Sequence, residues 1–69
     1  MNKLKLWRLE RGLSQMALAD SSGVPRHVIQ MHEIGLKIPN REHQAALAKT
    51  LGVKLSELFP QRATRLANV

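Results

Sequence analysis

The stretch QMALADSSGVPRHVI, residues 15–29, leaves a chain few ways to fold. Apolar residues recur at helical spacing on both sides of Gly23. Gly23 can turn the backbone into the left-handed region without a Cβ penalty. Pro25 suits the first turn of a second helix, where its missing N–H is no loss. Two short helices joined by a turn of three or four residues are therefore expected here. Ala19 lies four residues before Gly23, where the helices would cross closely and a larger side chain would push them apart. Ile29 is expected on the inner face of the second helix, meeting Ala19 across the crossing.

The rest of the chain reads the same way. A first helix is expected from about Lys3 to Arg11, stopped at Gly12. Ser14 can cap the next, Gln15 to Ser21, which ends at Gly23. A third runs from Pro25 to about Ile34 and stops at Gly35. After the loop LKIP, Asn40 caps a fourth helix, Arg41 to Leu51, whose apolar side is Ala45, Ala46, Leu47, Ala48 and Leu51. Leu55 to Phe59 make a short fifth, closed by Pro60. Alternating β-type patterns are missing. The fold class is all-α: five short helices in one domain over residues 1–60, with a basic tail at 61–69.

The chain has 69 residues, net charge +6 and no cysteine. At this size a helical bundle is an economical fold, since only about 60% of the unfolded surface can be buried. Without cysteine no disulfide or thiolate-bound metal can staple it, and a reducing, cytoplasmic setting is the natural one. No run approaches the roughly 20 apolar residues of a membrane span. The start MNKLKLWRLER is too charged for a signal peptide. Nor is there room in this length for a separate effector domain, so a small-molecule signal is not expected.

The positive charge points to a polyanionic partner, most simply nucleic acid. It is unevenly placed. Residues 1–13 carry +3 and residues 37–55 carry +3, while residues 14–36 carry −1. Basic flanks around a neutral centre suit phosphate clamps on either side of a reading element, because phosphate contacts position and base contacts specify.

Two helices joined through Gly23 have the geometry of a helix-turn-helix. The run Gln15-x3-Ala19-x3-Gly23-x5-Ile29, with LSQ before it and the Gly12-Leu13 turn, resembles the Cro and phage-repressor (Xre-type) helix-turn-helix family. LAKTLGVKLSELF, residues 47–59, is similar to that family's fourth and fifth helices. The resemblance covers about residues 4–59, and the two blocks at this spacing make it specific. It implies a compact five-helix, lambda-repressor-like domain.

It also implies that the second helix of the motif enters the major groove of double-stranded DNA. By position the base readers would be Arg26, His27 and Met31, with Gln30 beside them. Arg26 can make two parallel bonds to guanine, and His27 can donate or accept. Gln30 suits adenine or a phosphate. Met31 has no strong hydrogen bond to give and is expected to pack on a thymine methyl or to do little. Gln15 stands where the first turn of its helix can meet a phosphate. Lys37 and Arg41 are the other expected phosphate anchors. Arg8 and Glu33 match a family pair that joins helix one to the reading helix.

The departures are specific. His32 stands where the family usually has an apolar residue. A buried neutral histidine with one hydrogen-bond partner is expected there, and charging it near pH 6 should loosen the domain. Pro25 replaces a small polar cap. Ile34 replaces a polar residue before Gly35.

Leu6 and Leu9 fall opposite Leu4, Trp7, Arg8 and Arg11 around the first helix. They are expected at the surface, where the tail (Leu66, Val69), a second copy or another protein can cover them. His27, His32 and His43 lack the spacing of metal ligands, and the serines read as caps and turn residues. Neither metal, cofactor nor catalytic site is expected. These readings lead to a repressor that binds a pseudo-palindromic operator as a homodimer. Two rivals stay open: an antitoxin or other partner-binding module on the same fold, and a non-specific nucleic-acid binder.

Overall fold

The computed structural model describes residues 3–59, in which five helices follow one another: α1 (Lys3–Glu10), α2 (Gln15–Ser22), α3 (Arg26–Glu33), α4 (Arg41–Leu51) and α5 (Leu55–Leu58). No strand occurs among the described residues. The tail, with Leu66 and Val69, lies outside them.

Of the helices after α1, all but one start where a side chain can satisfy an open N–H group. Ser14 Oγ accepts from Ala17 N at 3.0 Å, and Asn40 Oδ1 accepts from His43 N at 2.8 Å. At α5, Glu57 Oε1 accepts from Lys54 N at 3.1 Å. The exception is α3. Pro25 is its N-cap rather than its first helical residue, with φ −57° and ψ 140°, and no side chain caps it. Helix α3 is therefore a residue shorter at each end than the sequence predicts. The ring fixes φ, which serves either position; the extended ψ decides between them.

Gly23 ends α2 with φ 78°, and its N–H reaches Ala19 O at 2.9 Å. A Cβ built at Gly23 would touch nothing, so the turn needs glycine for its conformation and not for space.

Every helix contributes to one core: Leu4, Leu18, Ile29, Leu47, Ala48, Leu51 and Leu58, joined by Val24 from the turn and by Phe59. Fully burying one such aliphatic side chain is worth about 1.5–3 kcal/mol. Ala19 is half-buried and packs against this cluster. Trp7 does the same, with the Arg11 guanidinium 5.1 Å from its ring. Arg11 Nε also donates to Leu51 O at 3.0 Å, fastening the end of α4 to α1.

A polar side chain sits among these apolar ones. Gln44 is fully buried, on the same side of α4 as Leu47, Ala48 and Leu51. Its Nε2 donates to Pro39 O at 2.7 Å, while its Oε1 meets no donor among the described residues. A stranded buried acceptor of this kind costs about 1–3 kcal/mol.

Candidate nucleic-acid interface

Three helices meet at a buried ionic junction. Arg8 on α1 grips Glu33 at the end of α3 with two bonds, Nε to Oε2 at 2.7 Å and a terminal nitrogen to Oε1 at 3.0 Å. Its other terminal nitrogen donates to Leu13 O at 2.7 Å. Gln15, at the start of α2, donates Nε2 to Glu33 Oε1 at 2.9 Å. One carboxylate thus ties α3 to both other helices. The Arg8 and Glu33 side chains are only 9% and 3% exposed. A paired ion of this sort fixes position more than it adds stability over an apolar packing.

Two sequence expectations change here. Arg8 is committed to Glu33 and Leu13, so the basic flank of residues 1–13 is not wholly free to clamp phosphates. The Gln15 side chain, expected at a phosphate, is half-buried and bonded to Glu33. The carboxylate at the end of α3 supplies the stronger local acceptor.

Burial pushes the Glu33 carboxyl up. The hydrogen bonds from Arg8 and Gln15, with the charges of Arg8 and Lys5, outweigh it and hold the carboxyl below its ordinary value of 4.5. The folded protein therefore holds this proton less tightly than the unfolded chain. The stability it adds is present above pH 4.5 and is lost as pH falls through the lower folded value. Urea midpoints measured from pH 7 down to 3 should fall across that window, with a smaller fall in Glu33→Gln. An equal fall in both would assign the acid sensitivity to other groups.

The outer face of α3 is set by which residues turn inward. Ile29 is buried and Val28 half-buried, which leaves Arg26, His27 and Gln30 exposed along the other side. Met31 is half-buried. It lines a groove with His27, Val28, Lys37, Ile38, Pro39, Asn40 and His43. So His27 and Met31 of α3 share one concave surface with Lys37 of the following loop. Lys37 and Arg41 are both exposed.

His32 is half-buried rather than buried. Its Nδ1 donates to Lys37 O at 3.1 Å, and its ring lies 5.0 Å from that of Phe59 at a tilt of 44°. An imidazolium donates the same bond as a neutral ring with Nδ1–H.

Leu6 and Leu9 are 47% and 52% exposed, and Ile34 is 62% exposed. The sequence did not mark out Leu36 and Ile38 of the following loop, which are exposed as well. It also missed Gln44. The signal was there, since Gln44, Leu47, Ala48 and Leu51 keep helical spacing and only the first is polar. Among the described residues no three potential ligands of histidine or carboxylate type gather as a metal site. No described helix is long and apolar enough to cross a membrane.

Two short helices joined through a left-handed glycine, with the second presenting arginine, histidine and glutamine to solvent, define the class of small all-α DNA-binding regulators. Residues 4–58 match the family described as helix-turn-helix, and the chain belongs to this Cro/repressor-like (Xre-type) family. It is a DNA-binding helix-turn-helix regulator. Comparison with curated proteins and with solved structures gives no match.

Proposed function

We propose that the protein is a sequence-specific transcriptional repressor that acts in the cytoplasm as a homodimer on a pseudo-palindromic operator. Each α3 lies in a major groove, with the two half-sites about one helical turn apart. Occupying a promoter blocks transcription. The observation that carries this reading is the two-sidedness of α3: Ile29 is anchored in the core while Arg26, His27 and Gln30 face solvent together. These three, with Met31 against a thymine methyl, read base edges. Lys37 and Arg41 hold phosphates on one side. Gln15 completes the clamp on the other: an amide nitrogen carries two hydrogens, and the bond to Glu33 uses one.

Selection from a random DNA pool at about 150 mM salt tests this, since weak phosphate-only binding is largely suppressed there. An inverted repeat is the expected product. On the recovered site Arg26→Ala should weaken binding by about 1–3 kcal/mol and relax preference at one base pair. Equal weakening on every sequence would make Arg26 a phosphate anchor instead.

A second reading rests on the exposure of Leu6 and Leu9 on α1. There the same domain docks a protein partner, such as a toxin, through that face. Recovery of no motif from the pool, with the protein folded, would favour it.

A further inference from the structure

The loop from α3 to α4 is gripped by side chains at two of its carbonyl oxygens. His32, in the last turn of α3, donates Nδ1–H to Lys37 O at 3.1 Å. Gln44, near the start of α4, donates Nε2–H to Pro39 O at 2.7 Å. The two carbonyls flank Ile38, so a three-residue segment is held from both of the helices it joins. Both grips have firm bases. The His32 ring leans on Phe59, which is itself buried, and Gln44 has no exposed surface. The start of the loop is tied as well, with Leu36 N and Lys37 N both donating to Met31 O, at 2.9 and 3.4 Å. The Lys37 side chain stays exposed beside His27 and Met31 of α3.

Packing does not account for Gln44. A leucine would fill a similar volume among Leu47, Ala48 and Leu51 without the stranded Oε1, which meets no donor among the described residues, but would leave Pro39 O without its donor. What the amide adds is the bond to Pro39 O. That bond restrains the backbone carrying Lys37.

We propose that His32 and Gln44 are positioning residues for DNA binding: their grip on Lys37 O and Pro39 O holds Lys37 at a fixed reach from the reading face of α3. The proposal rests on the reading of Lys37 as a phosphate contact. Neither residue touches DNA in it. Both act by keeping the loop from taking up other conformations that the complex would have to exclude.

The test uses the full chain with Gln44→Leu, and with His32→Phe, which keeps a ring against Phe59 but no donor. Binding to a mixed-sequence 30-base-pair duplex is followed against salt, alongside thermal unfolding and backbone NMR relaxation at Lys37 and Ile38. Gln44→Leu should unfold close to the native protein, because it removes the stranded Oε1 and leaves Pro39 O without its donor, yet the Lys37 and Ile38 amides should become more mobile. The slope of log affinity against log salt should shrink by about 0.9, the share of one phosphate, which is up to about eightfold in affinity at 0.1 M salt. Lys37→Ala should cause the same loss in the native background and none in Gln44→Leu. His32→Phe should repeat the pattern whether or not Gln44→Leu folds.

If the variants fold and loop motion, slope and affinity all stay native, the positioning role is overturned while the DNA interface stands. If Lys37→Ala leaves the slope of the native protein untouched, the phosphate contact and the positioning role fall together.

Discussion

Arg8→Ala should be among the most destabilising single changes in this domain, lowering stability by about 3–5 kcal/mol. The size follows from what is left behind. Glu33 would remain buried with one Gln15 bond in place of three bonds and an opposite charge, and Leu13 O would lose its donor. Chains of this kind hold only about 0.05–0.15 kcal/mol per residue, so for 69 residues the loss is a large share of the whole. Urea unfolding at pH 7, followed by circular dichroism, measures it. The double change Arg8→Met with Glu33→Leu should recover most of the loss, because it removes the uncompensated charge along with its partner. It should not recover DNA affinity, since the bonds that set the end of α3 are gone. A loss below about 1 kcal/mol for Arg8→Ala would mean that water reaches Glu33 and the junction behaves as a surface pair.

This junction also marks where the sequence stops being readable. Caps and stops are local, so Ser14, Asn40 and Gly23 announce α2 and α4 from a few residues each. The partners Arg8 and Glu33 stand 25 residues apart, and no local rule joins them; only the family resemblance suggested the pair. The inward bond of Gln15 is hidden in the same way, because its position, at an open helix start, points only to a phosphate. What turns it inward is a carboxylate 18 residues away. Pro25 was misplaced by one residue because its ring fixes φ and leaves ψ, which separates a cap from a first helical turn, to the surroundings. His32 was expected to be buried, since the family usually has an apolar residue there. It stops halfway, with its ring on Phe59 and its Nδ1 on a loop carbonyl. The outward residues of α3 follow from periodicity once Ile29 is placed inside.

Ile29→Ala and Arg26→Ala lie three residues apart on one helix, and their effects should separate cleanly. Ile29 has no exposed surface and packs in the core shared by all five helices. Truncating it removes buried methylenes and leaves a cavity, a loss of about 2–5 kcal/mol of stability. Ile29→Val, which keeps most of the volume, should lose only about 0.5–1.5 kcal/mol. Arg26 is exposed and has no bond to the rest of the fold among those described, so Arg26→Ala should leave the unfolding midpoint within about 0.5 kcal/mol of native. DNA binding should show the reverse assignment. At temperatures where Ile29→Val is still folded it should bind its site as the native protein does, because the reading face is unchanged. Arg26→Ala should bind weakly while remaining folded. Chemical unfolding and site binding, measured on the three variants under one set of conditions, decide the matter. If Arg26→Ala lost stability comparable to that of Ile29→Ala, the outer face of α3 would be part of the fold. The residues assigned to reading DNA would then have to be sought elsewhere on the domain.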